Sequence, residues 1–204
     1  MRLFIAITLQ ENIKDSLSRT ITGLKNLTRK GSFTDRDNLH LTVVFIGETK
    51  DATEIMRAMD RALNNANTLP FQLEFREIGS FKRQEGDIFW VGVEKELNLW
   101  KLQEELVKEL KAVGIPVDDK EYKPHLTLGR RVKLNGKIEK KELDHLVTPM
   151  IMETLKISLM KSERINGKLV YTEIYQSDSL RLAGLKSINI LKFKFINEKR
   201  YIKK

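Results

Sequence analysis

Apolar residues alternate and then recur at helical spacing, in an order that repeats along the chain. Arg2–Thr8 is a β-rich run that predicts a buried strand. From Gln10 to about Lys30, Ile13, Leu17, Ile21, Leu24 and Leu27 return at three- and four-residue steps and predict an amphipathic helix. Gly31–Asn38 is polar and turn-like, and Leu39–Gly47 (LHLTVVFIG) reads as a strand. Thr53–Asn65 places Ile55, Met59, Ala62 and Leu63 on one helical face. Pro70–Phe81 and Ile88–Glu94 form a predicted hairpin across the polar link Lys82–Asp87. Leu97–Val113 is a clear helix, with Gly114 as its stop and Pro116 just beyond. Pro124–Arg131 is a strand and Lys140–Leu146 a short helix. Met150–Glu163 and Lys168–Gln176 are strands around the two-residue turn Asn166–Gly167. No stretch is long and Pro/Gly-rich enough to be an interdomain linker, so the pattern predicts one compact α+β domain.

The pattern also hints at duplication, because each half offers a strand, a helix and a second strand headed by the same tripeptide. These are His40-Leu41-Thr42 and His125-Leu126-Thr127. The chain has three histidines, and Thr makes up 13 of its 204 residues. Two of three histidines carrying Thr at i+2 by chance has odds of about one in eighty, before Leu or strand context is required. In a strand, residues i and i+2 leave the same face about 7 Å apart while the intervening Leu enters the opposite core. A pseudo-twofold axis between the halves would therefore set two imidazoles and two hydroxyls around one point. Two imidazoles titrating near neutrality can serve as general acid and general base together. Hydroxyls donate to the non-bridging oxygens of a tetrahedral anion. The set suits in-line displacement at phosphorus with no metal or other cofactor, one His deprotonating the incoming oxygen and the other protonating the leaving one. Geometry alone does not assign which is which. Arg130, five residues after His125, points to the other face of an ideal strand and joins the site if the strand twists or bulges there.

Blander readings compete. A lone strand His is usually a satisfied core or edge residue, and a zinc site would need a carboxylate or the third His in addition. His145, in the short helix, reads as a surface residue. Asp35–Asp37 and Asp118–Asp119 read as solvated turns. The chain lacks cysteine, which excludes disulfides, thiolate catalysis, iron–sulfur clusters and Cys-based zinc sites. Nucleophile-elbow, P-loop and dinucleotide-binding signatures are missing as well. No apolar run approaches the ~20 residues of a membrane span. Met1–Leu9 runs into Gln10–Glu11 without a cleavage site, so it reads as a strand rather than a signal peptide, and a cytoplasmic monomer is expected. The net charge is +9, of which Lys186–Lys204 supplies +6, seven basic residues against Glu198. A mildly basic body with a basic end fits an anionic partner without identifying it.

At these residues the chain resembles the two-histidine (2H) phosphoesterase superfamily, and within it the RNA 2′,3′-cyclic phosphodiesterases also described as 2′-5′ RNA ligases. The likeness runs from Met1 to about Ser177. It is carried by Arg2-Leu3-Phe4-Ile5-Ala6-Ile7, by Asn38-Leu39-His40-Leu41-Thr42 through Gly47, and by Ile88-Phe89-Trp90-Val91-Gly92-Val93. It continues in Tyr122-Lys123-Pro124-His125-Leu126-Thr127-Leu128-Gly129-Arg130 and Leu159-Met160-Lys161-Ser162-Glu163. The resemblance implies a bilobal α+β fold in which two antiparallel sheets line a central cleft, helices lie outside, and each lobe carries one motif. It implies metal-independent hydrolysis of terminal RNA 2′,3′-cyclic phosphates to 2′-phosphates, with His40 as proton donor, His125 as proton acceptor, and Thr42 and Thr127 on the phosphate. With a 5′-hydroxyl strand end in place of water, the same machinery makes a 2′-5′ linkage.

Two other functions compete: a phosphodiesterase acting on small cyclic nucleotides or 2′-5′ oligonucleotides, and a non-catalytic nucleotide- or RNA-binding module. Residues 1–177 are expected to form the bilobal domain. Residues 178–204 form a basic extension in which Ile188, Ile190, Phe193 and Phe195, interleaved with Lys192 and Lys194, suggest an extra edge strand before a frayed tail.

Overall fold

The structure, a computed structural model, describes residues 1–118 and 120–178. The expected edge strand and tail beyond residue 178 lie outside the described residues. Among the described residues, nine strands form two antiparallel sheets. The first has the order β3-β1-β8-β9, with β1 at Arg2–Thr8, β3 at His40–Glu48, β8 at Lys156–Ile165 and β9 at Lys168–Asp178. The second has the order β2-β6-β5-β4-β7, with β2 at Thr28–Phe33, β4 at Phe71–Phe81, β5 at Asp87–Val93, β6 at His125–Leu134 and β7 at Met150–Thr154.

Helices cover the outer faces: α1 (Glu11–Asn26), α2 (Thr53–Ala66), α3 (Leu97–Ala112) and α4 (Lys140–Asp144). In α3, Leu99, Leu102, Leu106 and Leu110 are fully buried on one stripe. Its stop is the one the sequence promised: the Gly114 N–H donates to the Lys111 carbonyl and the Ile115 N–H to that of Leu110, a Schellman pair. The helix that follows β1 and leads into β2 does not stay with the first sheet. Helix α1 packs on β2 and β6 of the second sheet, while α3, which connects β5 to β6, packs on α2 and β3 of the first. Each lobe thus lends its connecting helix to the other, and one continuous apolar cluster runs through both. A smaller cluster of Phe4, Ala6 and Met160, with Tyr171, occupies the opposite face of the first sheet.

Two expectations are corrected. The first helix ends at Asn26 rather than Lys30, and the stretch read as helix end and turn contains β2 followed by a single 3-10 turn at Arg36–Asn38. As an edge strand with a mostly exposed pattern, β2 carries no apolar alternation to betray it. The run Met150–Glu163 is two strands in different sheets, parted at Leu155, which is 56% exposed where the chain crosses over. The two antiparallel sheets expected from the resemblance are present, with the C-terminal β8 and β9 completing the sheet of β1 and β3 and with β2 joining the other. No helix among the described residues is long and apolar enough to cross a membrane.

Candidate active site

Each tripeptide opens a strand facing the space between the sheets. His40 and Thr42 are half-buried while Leu41 is fully buried, and His125, Thr127 and Leu126 repeat this on β6. Both rings are held the same way. His40 Nδ1 lies 2.7 Å from the Asn38 carbonyl, and His125 Nδ1 lies 2.7 Å from the Lys123 carbonyl. A carbonyl can only accept, so Nδ1 carries the hydrogen in both rings and the Nε2 lone pair is left to the cleft. An aromatic edge braces each ring: Tyr171 stands perpendicular to His40 at 5.1 Å, and Phe81 perpendicular to His125 at 5.1 Å. Phe4 lies 4.8 Å from His40 and Trp90 lies 6.3 Å from His125. The carbonyl under His40 is itself anchored, because the Asn38 side chain donates to the Leu169 carbonyl and accepts from the Tyr171 N–H of β9.

Trp90 can lie on the cleft floor because its cross-strand partner is Gly79. A Cβ there would sit 2.1 Å from the indole, so any side chain at position 79 displaces the ring that supports His125.

A reciprocal clamp holds the lobes together at this point. The Tyr122 hydroxyl, three residues ahead of His125, donates to the Thr42 carbonyl at 3.2 Å. The Thr34 hydroxyl, six residues ahead of His40, donates to the Thr127 carbonyl at 2.8 Å, and its N–H to that of Leu128 at 2.9 Å. The lead-in to each histidine therefore grips the strand bearing the other. Burial raises the Tyr122 pKa, which keeps the phenol protonated and donating. Neither clamp residue stands out in the sequence, since both depend on the cross-lobe packing.

Arg130 reaches the cleft by a bulge. On β6, Thr127 pairs with Trp90 and Gly129 with Phe89, so two steps on one strand oppose one on the other. Alternation resets accordingly: Leu128 and Gly129 are both buried, and Arg130 is exposed on the side of His125. The same irregularity follows Thr42, where Thr42 pairs with Ala6 and Val44 with Ile5. The residue three beyond each threonine is therefore turned into the cleft, Arg130 in one lobe and Phe45 in the other. Phe45 is 50% exposed, lies across from Phe4, and carries the Arg2 guanidinium 5.1 Å from its ring centre.

Electrostatics tie the lobes together. Burial holds both imidazoles below the ordinary value of 6.5, and the Asn38 and Lys123 carbonyls oppose this by favouring the charged ring. The Arg130 charge lowers both further, and His125 itself lowers His40. The residues selected from sequence are thus together: His40, Thr42, His125, Thr127 and Arg130 around one cleft. The lobes differ in one respect. His40 Nε2 is engaged by the Thr42 hydroxyl at 2.9 Å, whereas His125 Nε2 has no partner among the described residues. His145 is exposed at the end of α4, as expected. Among the described residues, no group of three His, Cys, Asp or Glu side chains could hold a metal ion.

Two antiparallel sheets with paired His-x-Thr strands across a cleft define a 2H phosphoesterase. The chain belongs to the 2′-5′ RNA ligase superfamily, whose family model matches residues 13–164. A relative from Thermotoga maritima named RNA 2′,3′-cyclic phosphodiesterase is 30% identical over 178 residues, covering 86% of this chain and 94% of its own. One of the same name from Methanocaldococcus jannaschii is 32% identical over 153 residues, covering 71% and 83%. The crystal structure of TT0787 from Thermus thermophilus aligns with a TM-score of 0.67 at 25% identity, over 87% of this chain and 97% of that one. The E. coli LigT complex with 3′-AMP shares the fold, with a TM-score of 0.66 at 22% identity over the same shares.

Proposed function

We propose that this chain is a phosphodiesterase that opens the 2′,3′-cyclic phosphate at an RNA end to a 2′-phosphate. The observation that carries the reading is the pair of Nδ1-anchored imidazoles, each presenting Nε2 to one cleft across which the charges of His125 and Arg130 bear on His40. The family and the names of its relatives support the substrate class.

Before substrate binds, the Thr42 hydroxyl donates to His40 Nε2. An anionic phosphate between the lobes favours the imidazolium, so His40 takes up a proton in the complex and Thr42 turns its hydrogen to a phosphate oxygen. His125, with its free Nε2 lone pair, accepts a proton from water as that water attacks phosphorus. The bond from phosphorus to O3′ breaks in line, and His40 delivers its proton to the leaving oxygen. Thr42, Thr127 and Arg130 hydrogen-bond the non-bridging oxygens, where charge gathers in the transition state. Proton exchange with solvent resets both rings. Replacing water with a 5′-hydroxyl gives the 2′-5′ ligation by the same steps. Phe45, roofed by Arg2, offers its ring face to the base next to the reacting phosphate.

The test is a 5′-labelled RNA ending in a 2′,3′-cyclic phosphate, incubated with EDTA. A 2′-phosphate product is expected. A 3′-phosphate, or no product from pH 5 to 9, overturns the proposal.

A further inference from the structure

Many cations on this surface are neutralised locally. Lys14, Arg36, Arg57, Arg61, Arg76, Lys108 and Lys140 each meet a carboxylate. At the far end of the second sheet, cations without such a partner share one concavity. Arg29 on β2, Arg83 in the β4–β5 link and Lys133 on β6 meet no carboxylate among the described residues, yet they line one groove of about 290 Å³ together with Lys82 and Asp87. The single acid there is already spent, since Asp87 accepts from Lys82 Nζ at 2.6 Å and from the Arg83 N–H. Three positive charges thus converge on a concavity with nothing to balance them, an arrangement that costs self-repulsion until an anion enters.

The groove is fixed by the fold. Gly86 in the link has φ +122, and a Cβ there would sit 2.7 Å from the Arg131 carbonyl carbon, so the link is seated directly on the β6 backbone. Strand β6 also joins the groove to the cleft. Thr127 and Lys133 are six residues apart, but Thr127 and Val132 lie opposite Trp90 and Asp87, three residues apart on β5, so the bulged strand spans about 13 Å. Between them, Arg130 and Arg131 are exposed and have no carboxylate partner among the described residues. That is far enough for the groove to meet a phosphate upstream of the one in the cleft, on a strand whose backbone follows a basic track.

We propose that the groove of Arg29, Arg83 and Lys133 is a second phosphate subsite, which holds the upstream backbone of an RNA strand whose cyclic end lies between His40 and His125. This rests on the function proposed above and extends it, making the enzyme selective for polynucleotide ends over cyclic mononucleotides.

The test compares the native chain with Arg29→Ala/Arg83→Ala/Lys133→Ala and with a control of equal charge loss on the other lobe, Lys50→Ala/Lys95→Ala/Lys101→Ala. Fluorescence anisotropy measures binding of a labelled ten-nucleotide RNA with a 3′-hydroxyl end, across a salt series. Kinetics measure turnover of the cyclic-phosphate ten-mer and of 2′,3′-cyclic AMP. The groove variant is expected to bind the ten-mer about tenfold or more weakly, with the logarithmic salt slope flattened by about two, as loss of three single-strand phosphate contacts requires. Its kcat/KM falls on the ten-mer and stays at the native value on cyclic AMP, while the control changes neither. Equal weakening by the control, or parallel losses on both substrates, overturns the subsite. So does equal native affinity for a dinucleotide and the ten-mer, which marks a site for a free anion. If the native chain turns over neither cyclic substrate, the phosphodiesterase reading fails, and the anisotropy series still decides whether the groove binds RNA.

Discussion

Replacing Arg130 with Gln removes one positive charge while nearly preserving side-chain length, and it has two separable consequences. The first is lost transition-state stabilisation. A charge-assisted hydrogen bond to a phosphate oxygen contributes about 1.5–3 kcal/mol, so kcat/KM for a cyclic-phosphate RNA should fall on the order of 10- to 150-fold. The second concerns the histidines. Burial is the main reason that both sit below 6.5, but the Arg130 charge pushes both in the same direction, so its removal raises both. A raised His125 stays protonated, and therefore useless as a base, to higher pH. A raised His40 keeps its proton, and therefore its acid role, to higher pH. Both limbs of the kcat/KM profile must move towards alkaline pH together. A variant that merely loosened the fold would lower the bell without moving it. The assay is kcat/KM measured every half unit from pH 4.5 to 9 for the native and variant chains. A bell that stays in place or moves to acid pH, or activity within twofold of native, would refute the placement of Arg130 in the cleft.

Three further outcomes follow from the same geometry. In the native chain both limbs of the kcat/KM bell should fall below 6.5, because the free protein holds both imidazoles under that value; a pH–rate series with an optimum above 7 contradicts this. Tyr122→Phe removes the donor that reaches the Thr42 carbonyl and should cost about 0.5–1.5 kcal/mol of stability in urea melts. Its kcat should drop more than its KM rises, since the lobes lose part of their mutual register. Gly79→Ala forces the Trp90 indole off the floor beneath His125, at a cost of about 1–3 kcal/mol from overpacking. Trp fluorescence should shift to longer wavelength as the ring meets water, and an unshifted spectrum would mean that the cleft floor is elsewhere.

The two His-x-Thr motifs and the way their strands display them were legible in the sequence because they are written locally. A strand displays i and i+2 together, so His-Leu-Thr announces two polar groups in a cleft and one anchor in the core wherever the strand lies. Helix α3 was legible for a similar reason, its buried leucines and its stop at Gly114 all lying close together in the chain. What escaped depends on partners distant in the chain. Strand β2 owes its existence to pairing with β6, not to any apolar rhythm in Thr28–Phe33. The crossing at Leu155 is invisible where Met150–Glu163 reads as one apolar run. The inward turn of Arg130 required the bulge between Thr127 and Gly129, and the weak signal was Gly129 itself, where a core-facing residue without a side chain breaks alternation. The Thr34 and Tyr122 clamps and the perpendicular Tyr171 and Phe81 braces exist only once the lobes have met.

The division of labour between the two rings is tested most directly by a substrate that needs no acid. A cyclic phosphorothiolate with sulfur in place of O3′ expels a thiolate, which leaves without a proton. With this substrate His40→Ala should regain most of the native rate, while His125→Ala, lacking the base that activates water, should stay as impaired as it is on the natural oxygen ester. Rescue of His125→Ala, or rescue of neither variant, would contradict a site in which His40 protonates the leaving group and His125 takes the proton from the nucleophile.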